Sequence, residues 1–393
     1  MNFRDETDPL ARHRGLFVQS PDVAAYLDGN SLGRPLAASI ERVSGFMAEA
    51  WGSRLIRGWD EGWLDQAQHI GDDLGRVVLG AAAGQCTIGD STTVLLYKLV
   101  RAAVAARPGR TEIVIDRDNF PTDRYVLEGI ADECGLELRW IETDAAAGVT
   151  PELAAAAITE RTALVVLSHV AYRSGFLADV ASISRIAHDS GALVLWDLCH
   201  SAGVVPAELD AWGVDLAVGC TYKYLNGGPG SPAFAYVAAE HLDDFRQPIQ
   251  GWLGSATPFE MGQGYEPAAG IRRVTSGTPP IIGMLAMRDM IALIESVGIP
   301  AIREKSIALT SYALDLVDDL LPEAIVSTPR EAALRGSHVT IDHEKFSALM
   351  PELWARGVIP DFRRPSGIRL GLSPLSTSFA EVELGVRTIR ELL

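Results

Sequence analysis

An aspartate and a lysine that could act on one ligand, Asp197 and Lys223, each follow an apolar run of strand length. The runs are Ala192–Trp196 and Val214–Gly219. Because neighbouring parallel strands present their carboxyl ends at one edge of a sheet, both residues would face the same ligand crevice. A lysine amine can form a Schiff base with the aldehyde of pyridoxal phosphate, and an aspartate can pair with the protonated pyridine nitrogen of that cofactor. The two residues together therefore suggest a pyridoxal-phosphate site.

The residues around this pair make the pattern more specific than either residue alone. His200 comes three residues after Asp197, and Tyr222 directly precedes Lys223. The Asn226-Gly-Gly-Pro-Gly segment would let the backbone come very close to a ligand. Taken singly, the aspartate could be a turn or cap residue and the lysine a solvated loop charge.

Three consecutive hydroxyl residues, Ser91, Thr92 and Thr93, stand at the start of a predicted helix that ends near Ala106. Free N–H groups and hydroxyls at a helix N-terminus form a phosphate site. An ordinary helix cap needs only one such residue, so three in a row favour phosphate binding.

Three other stretches allow a functional or a structural interpretation. Tyr26–Pro35 has the composition of a turn, and on physical grounds alone a surface turn is favoured over a loop that lines an active site. Trp51–Trp63 is dense in tryptophan, which suits an aromatic substrate wall and a buried core equally well. Arg369 alternates with Ile368 and Leu370, so it would either bind a carboxylate or form a structural salt bridge.

The elements that must position these residues alternate between strands and helices. Strands are predicted at Glu112–Asp116, Glu137–Ile141, Ala163–Leu167, Ala192–Trp196, Val214–Gly219 and Phe234–Val237, and helices at Pro35–Trp51, Gln66–Leu79, Pro151–Ile158 and Asp179–Asp189. This pattern predicts an α/β fold with a mostly parallel central sheet and helices on both faces. The sequence contains no G-x-G-x-x-G fingerprint and no P-loop, which counts against dinucleotide binding.

The chain is predicted to divide into three parts. Residues 1–50 form an N-terminal segment that packs with a small domain, residues 51–280 form the large cofactor-binding domain, and residues 281–393 form a smaller α+β C-terminal domain. A long Gly- and Pro-rich region follows Phe234–Val237, and such a region is usually functional or interfacial.

Composition narrows the classes of protein. The 393 residues carry a net charge of −17, which argues against nucleic-acid or anionic-membrane partners. Four cysteines with no C-x-x-C pair indicate reduced thiols in a cytoplasmic protein, and no metal-ligand spacing appears. The first residues are charged and no apolar run reaches membrane-spanning length, so we expect neither a signal peptide nor a membrane segment.

Seven motifs together give the chain a resemblance to the kynureninases, which belong to the aminotransferase-like superfamily of pyridoxal-phosphate enzymes of fold type I. The resemblance runs from about Tyr26 to the C-terminus. Its motifs are DGNSLG (Asp28–Gly33), FPTD (Phe120–Asp123), WDLCH (Trp196–His200), YKYLN (Tyr222–Asn226), GWLG (Gly251–Gly254), GTPPI (Gly277–Ile281) and GIRLGLSPL (Gly367–Leu375).

The resemblance implies roles for particular residues. Around the cofactor ring, it implies that Lys223 holds the cofactor covalently, that Asp197 pairs with the pyridine nitrogen, and that His200 lies near the phenolic side. It also implies that Phe120 stacks on the ring and that Thr92 and Thr93 hold the phosphate. The pocket would be completed by Asp123, Ser168 and Tyr222. The resemblance further implies that Lys223, Tyr222 and Asp197 are catalytic. Arg369 would bind the substrate α-carboxylate, and Ser31 and Trp59 would also contact substrate. Trp252 and Thr278 would reach the cofactor site from the partner subunit of a homodimer.

The implied reaction is the hydrolysis of L-kynurenine to anthranilate and L-alanine, in tryptophan catabolism and NAD biosynthesis. Forms that prefer 3-hydroxykynurenine carry a histidine near the position of Trp59 and an asparagine at that of Thr278, so plain kynurenine is favoured here. The family often has Pro-Leu-Tyr where this chain has Pro374-Leu375-Ser376.

Four alternatives stay open from the sequence. They are a related enzyme acting on another aryl-ketone amino acid, a class V aminotransferase, a cysteine desulfurase, and a catalytically silent cofactor-binding protein. A desulfurase needs a nucleophilic cysteine on a C-terminal loop, and no cysteine follows Cys220. The joint presence of Lys223, Asp197, Tyr222 and Arg369 argues against a silent protein.

Overall fold

The computed structural model describes residues 2–144 and 146–393, which form two β-sheets and the helices packed on them. The strands are β1 (Ala25–Leu27), β2 (Cys86–Gly89), β3 (Glu112–Asp116), β4 (Glu137–Ile141), β5 (Thr162–Ser168), β6 (Leu193–Asp197), β7 (Leu216–Gly219), β8 (Ala233–Val237), β9 (Ile325–Val326), β10 (His338–Asp342), β11 (Val358–Arg363) and β12 (Gly367–Gly371). The α-helices are α1 (Phe3–Glu6), α2 (Ala37–Gly45), α3 (Gly52–Arg54), α4 (Gln66–Leu74), α5 (Thr92–Ala105), α6 (Pro121–Cys134), α7 (Pro151–Ala157), α8 (Val180–Asp189), α9 (Leu285–Val297), α10 (Ile299–Leu320), α11 (Phe346–Ala355) and α12 (Phe379–Leu392).

The larger sheet has the strand order β2-β8-β7-β6-β5-β3-β4 within the described residues. Strand β8 runs antiparallel to both of its neighbours, and β7, β6, β5, β3 and β4 run parallel to one another. The predicted α/β fold with a mostly parallel sheet is therefore confirmed.

Both faces of the larger sheet are buried, as its central strand shows. Leu193 and Leu195 of β6 pack into the apolar cluster under α5 and α6, whereas Val194 and Trp196 pack into the cluster that contains α4, α8 and α9. Successive side chains of a strand point to opposite faces, so a strand covered on both sides must be apolar throughout. Asp197 is polar because it ends this strand, at the edge where a ligand can bind.

The smaller sheet joins the two ends of the chain. Its order is β1-β11-β12-β10-β9, with β1 parallel to β11 and the other pairs antiparallel. Ala25 lies opposite Val358. Helix α9 comes after the predicted domain boundary at residue 280, and its Met287 and Ile294 pack into the larger core. The predicted boundaries at residues 50 and 280 stay predictions.

Two α-helices are shorter than the apolar pattern of the sequence predicts. The helices predicted to end at Trp51 and Leu79 end at Gly45 and Leu74, and each continues as a wider π-helical turn. Strands β1, β2, β9 and β11 were not predicted, and β9 has only two residues. The first two have three and four residues, and β11 contains Pro360, which is rare inside a sheet.

Helix α10 is the longest described helix, with 22 residues. It carries charged side chains such as Arg303 and Asp318 among its apolar ones. Across residues 2–144 and 146–393, no helix is both long enough and apolar enough to cross a lipid bilayer.

Candidate active site

A cavity of about 210 Å³ lies at the carboxyl ends of β5, β6 and β7 and at the N-terminus of α5. Nine of the predicted site residues line it, namely Thr92, Thr93, Phe120, Asp123, Ser168, Asp197, His200, Tyr222 and Lys223. The strand order thus brings together residues that lie far apart in the sequence.

Lys223 points its amine at a neutral histidine. Its Nζ lies 3.0 Å from Nε2 of His200. Burial, followed by the positive charge of Lys223, holds the pKa of His200 well below its usual range. The ring is therefore uncharged near pH 7, and Nε2 can accept a hydrogen bond from Nζ of Lys223. This contact orients the lysine amine in the cavity.

The loop that carries Lys223 rests on the DGNSLG segment. The backbone N of Gly33 donates to the carbonyl oxygen of Tyr222 at 2.8 Å. The amide of Asn226 donates to the carbonyl oxygen of Arg34 at 2.6 Å. A Cβ atom on Gly33 would come within 2.4 Å of the carbonyl oxygen of Lys223. Only glycine lets these two loops approach so closely.

We therefore expect Gly33→Ala to lower the free energy of unfolding by about 1–3 kcal/mol, since the clash is with backbone that cannot rotate away. The thermal midpoint in differential scanning fluorimetry measures the effect. Gly45→Ala is the matched control, because a Cβ there meets nothing within 4 Å. Equal midpoints for the two variants would show that the loops separate without cost.

Two carboxyl groups share the cavity with the lysine. Burial, followed by the negative charges of Asp197 and Asp116, raises the pKa of Asp123 well above its usual range. Asp123 therefore keeps its proton near pH 7. Oδ1 of Asp197 accepts a hydrogen bond from the backbone N of Cys199 at 2.7 Å. Oδ2 of Asp123 is buried with no partner among the described residues. This end of the cavity therefore has an unfilled polar position beside the carboxyl group of Asp197, which suits a ring N–H.

The other end of the cavity suits a phosphate. Ser91 caps α5, because its side chain accepts from the backbone N of Val94 at 3.4 Å. The hydroxyl of Thr92 has only a weak contact, 4.0 Å, with Sγ of Cys199. The hydroxyls of Thr92 and Thr93 are thus available to bind a ligand. They lie at the N-terminus of α5, a helix of 14 residues whose peptide dipoles favour an anion there.

Aromatic rings form the walls between the two ends. Nζ of Lys223 lies 5.9 Å from the ring centres of both Phe120 and Tyr222. Phe120 packs edge-on against Tyr172 with ring centres 5.4 Å apart. Burial raises the pKa of the Tyr222 hydroxyl. Tyr222 therefore holds its proton near pH 7 and acts as a donor.

Ser168 donates from its hydroxyl to Oδ1 of Asn119 at 3.1 Å.

Arg369 lies beside the cavity and is fully buried. Its NH1 donates to the carbonyl oxygen of Tyr172 at 2.7 Å, and its NH2 donates to Oγ of Ser31 at 3.0 Å. NH2 also lies 2.7 Å from Oδ2 of Asp361. With its amide oriented to suit both neighbours, Asn30 accepts from Nε at 2.8 Å. The structure thus pairs Arg369 with an internal carboxylate next to the cavity wall.

The surface-turn interpretation of Tyr26–Pro35 is wrong. Asn30 is fully buried and Arg34 nearly so. The segment is buried because Asn30 and Ser31 bond to Arg369, which is more than 330 residues away in the sequence. Turn composition carries no information about a partner at that distance.

Five predicted site residues are absent from the cavity lining; Arg369 and Ser31 lie beside it, as described above, and the other three are Trp59, Trp252 and Thr278. Trp59 packs edge-on against Trp63, with ring centres 5.6 Å apart, at the larger core. Trp252 is 43% exposed. Thr278 lines a neighbouring depression. Their predicted roles stay predictions.

Sequence reasoning missed several residues around the site. Tyr172 and Ser231 line the cavity, while Asn30 and Asp361 bond to Arg369. Tyr172 had a detectable signal, because it follows the predicted strand Ala163–Leu167 at its ligand-binding end. Asp361 had none, because its strand was not predicted.

Residues 89–351 match the aminotransferase class-V family. The fold resembles a cysteine desulfurase from Thermococcus onnurineus, with a TM-score of 0.78 at 20% identity over 94% of each chain. It also resembles a cysteine desulfurase from Escherichia coli, with a TM-score of 0.80 at 16% identity over 98% of each chain. The fold and the family match define a fold type I enzyme of the class-V aminotransferase family.

Curated relatives narrow the assignment. A kynureninase from Pseudomonas fluorescens is 40% identical over 99% of this chain and 94% of the relative. A kynureninase from Burkholderia pseudomallei shows the same identity and coverage. The chain belongs to the kynureninase family, and the resemblance inferred from its seven motifs is confirmed.

Proposed function

We propose that this protein is a pyridoxal-phosphate-dependent kynureninase that hydrolyses L-kynurenine to anthranilate and L-alanine. One observation carries the proposal: the buried cavity joins Lys223, Asp197 and the N-terminus of α5, and it lies against Arg369. Membership of the kynureninase family supports it independently.

The cavity residues would hold the cofactor at three places. Thr92 and Thr93 would bind the phosphate, Asp197 the pyridine nitrogen, and Lys223 the aldehyde carbon. Phe120 would lie on the ring. When bound, pyridoxal phosphate supplies a conjugated ring that accepts electrons from the substrate α-carbon.

The chain's own groups bind substrate and move protons. Arg369 binds the α-carboxylate through charge-assisted hydrogen bonds. The amine of Lys223, oriented by Nε2 of His200, takes the proton from the substrate α-carbon. The hydroxyl of Tyr222 keeps its proton and donates it as the bond between the β-carbon and the keto carbon is hydrolysed. Asp123 holds a proton beside Asp197.

The direct test is anthranilate fluorescence after purified, cofactor-loaded protein is mixed with L-kynurenine. Release of anthranilate is the expected result, and L-alanine should appear in equal amount. We propose plain kynurenine as the preferred substrate, since Trp59 and Thr278 replace the residues found in enzymes for 3-hydroxykynurenine. Loss of 3-hydroxykynurenine absorbance, measured in parallel, tests that preference. No release from either substrate would overturn the function.

The pH dependence of substrate binding should reflect the titration of the Asp28 carboxyl group. Burial raises the pKa of Asp28 to about 6; the hydrogen bond with Ser31 lowers this pKa, and the negative charge of Asp361 raises it. Asp28 is neutral below that pH and negative above it, and the added negative charge near Arg369 opposes a second carboxylate. We expect KM for kynurenine to rise on the order of tenfold from pH 5.5 to pH 8.

Asp28→Asn is the control for this rise, because asparagine keeps the shape without the charge. KM of this variant should change little over the same range. A rise in KM that is the same in both proteins would assign the titration to another group.

We also propose a homodimer with shared active sites. Trp252 and Thr278 support it, since neither lines the cavity of its own chain and the side chain of Trp252, beside Phe259, is 43% exposed. A cytoplasmic location and a place in tryptophan catabolism and NAD biosynthesis are part of the same proposal. The four cysteines are all unpaired, which suits a reducing compartment.

Mixing two inactive variants tests the shared site. Lys223→Ala and Trp252→Ala each damage every site of their own homodimer. Random re-association at equal amounts makes half the dimers mixed, and each mixed dimer has one intact site. Activity should therefore recover to about a quarter of that of the parent protein. Activity no greater than the mean of the two variants would show that Trp252 serves its own chain.

A further inference from the structure

Two cysteines, Cys199 and Cys220, lie side by side at the ends of β6 and β7. Asp197 of β6 is paired with Val218 of β7 in parallel register, so the residues two positions further on are also neighbours. The backbone N of Cys220 donates to Sγ of Cys199 at 3.2 Å. Sγ of Cys220 lies 3.8 Å from the carbonyl oxygen of Cys199. Each thiol is therefore in contact with the other residue.

Both cysteines are buried, and Cys199 forms part of the wall of the cofactor cavity. Cys199 lines that cavity and is 9% exposed, whereas Cys220 is 2% exposed. Neither sulfur is needed for the roles proposed above. Cys86 lies in β2 and Cys134 at the end of α6, so the other two cysteines belong to different elements.

The environment makes the two thiols unequal. Burial alone would raise the pKa of Cys220, but the hydrogen bond with Cys199 and the charge of Lys223 outweigh it, and the pKa is lowered. The hydrogen bond with Cys220, then burial, raises the pKa of Cys199. The thiolate is the reactive form of cysteine, so Cys220, which contacts the cavity-lining Cys199, is the more reactive sulfur of the pair.

We propose that Cys199 and Cys220 form a reversible disulfide when a peroxide enters the cofactor cavity, and that this disulfide closes the cofactor site. The Cys220 thiolate attacks one peroxide oxygen, the O–O bond breaks, and sulfenic acid and water form after proton uptake. The Cys199 sulfur then displaces that hydroxyl as water and the S–S bond forms. Overall, two thiols and one hydrogen peroxide give one disulfide and two waters.

The disulfide would disturb the site through its neighbours in the chain. The sulfurs must come within about 2.05 Å of each other, with Cβ atoms about 3.8 Å apart. Cys199 lies between Asp197 and His200, and Cys220 is three residues before Lys223. Drawing the two cysteines together therefore shifts the acid, the imidazole and the lysine relative to one another.

The test uses the full chain, with bound pyridoxal phosphate and after its removal, exposed to hydrogen peroxide. Free thiols are counted in denaturant, and the disulfide is located by peptide mass spectrometry. The cofactor-free protein should lose two of its four thiols and two hydrogens, with the bond joining Cys199 to Cys220. Bound cofactor should slow the loss about tenfold, and dithiothreitol should reverse it. Cofactor binding, followed by its absorbance, should weaken about tenfold in the oxidised protein.

Matched variants make the outcome decisive. Cys134→Ser should still lose two thiols, whereas Cys199→Ser and Cys220→Ser should form no internal disulfide. The proposal is overturned if no thiols are lost, if the mapped bond includes Cys86 or Cys134, or if the product is a sulfinic or sulfonic acid. Unchanged cofactor affinity after the disulfide forms would also overturn it. None of these readouts depends on turnover of kynurenine.

Discussion

Lys223→Ala is expected to reduce kcat for kynurenine by at least about 10²–10⁴-fold, the range that a positioned proton-transfer group contributes. The remaining groups near the substrate cannot replace it. His200 is held neutral by burial, so its affinity for a proton is low, and Tyr222 already keeps its own proton. Anthranilate release by cofactor-loaded protein under single-turnover conditions measures the loss.

Two controls separate this chemical role from a structural one. Lys345→Ala removes the same side chain from an exposed position at the start of α11, and activity should be unchanged. Added ethylamine should restore part of the rate of Lys223→Ala, since a small amine fits the space left by the side chain. If Lys223→Ala keeps the parent rate, Lys223 is a loop charge, as the simplest interpretation of the sequence allowed.

Arg369→Gln is expected to lower kcat/KM for kynurenine by about 10²–10⁴-fold. Two charge-assisted hydrogen bonds to a carboxylate contribute about 3–6 kcal/mol together, and each 1.4 kcal/mol corresponds to about a factor of ten. The loss should fall mainly on KM, because the carboxylate is bound in the ground state as well as in the transition state. Steady-state kinetics over a wide range of kynurenine concentration separates the two constants.

Arg363→Gln is the matched control, since Arg363 contacts the same partner, Asp361, at 2.6 Å. We expect its effect on kcat/KM to be about tenfold or less, because Arg363 is partly exposed and screened. Asp361 keeps one arginine in either variant, so both proteins should fold, which thermal unfolding would show. If KM of Arg369→Gln is unchanged while its thermal midpoint falls, Arg369 forms a structural salt bridge only.

The central part of the site could be predicted because it depends on local pattern. Strands β6 and β7 are buried on both faces and therefore appear as continuous apolar runs, and the polar residues that follow each run lie at the ligand edge. Asp197 and Lys223 were located in this way. The position of Thr92 and Thr93 followed from the start of a helix, which is also a local signal.

The surroundings of Arg369 could not be predicted, because they depend on contacts between distant parts of the chain. Asn30 has the composition of a turn residue, yet it is buried because β12 brings Arg369 against it. Asp361 lies in β11, whose proline and charges conceal the strand pattern. Local propensity cannot report burial that a partner more than 300 residues away creates.

The pairing of β1 with β11 sets an order on the synthesis of this protein. Ala25 leaves the ribosome early, but its partner Val358 follows only 333 residues later. At about 5–20 residues per second this interval is roughly 20–70 seconds. Before Val358 emerges, the larger sheet already has all of its strands and the DGNSLG loop can bond to the loop of Lys223, whereas β1 still lacks its partner strand and Asn30 and Ser31 still lack Arg369. The place for the substrate carboxylate is thus assembled last, so a nascent chain can acquire its cofactor pocket before it can recognise an amino acid.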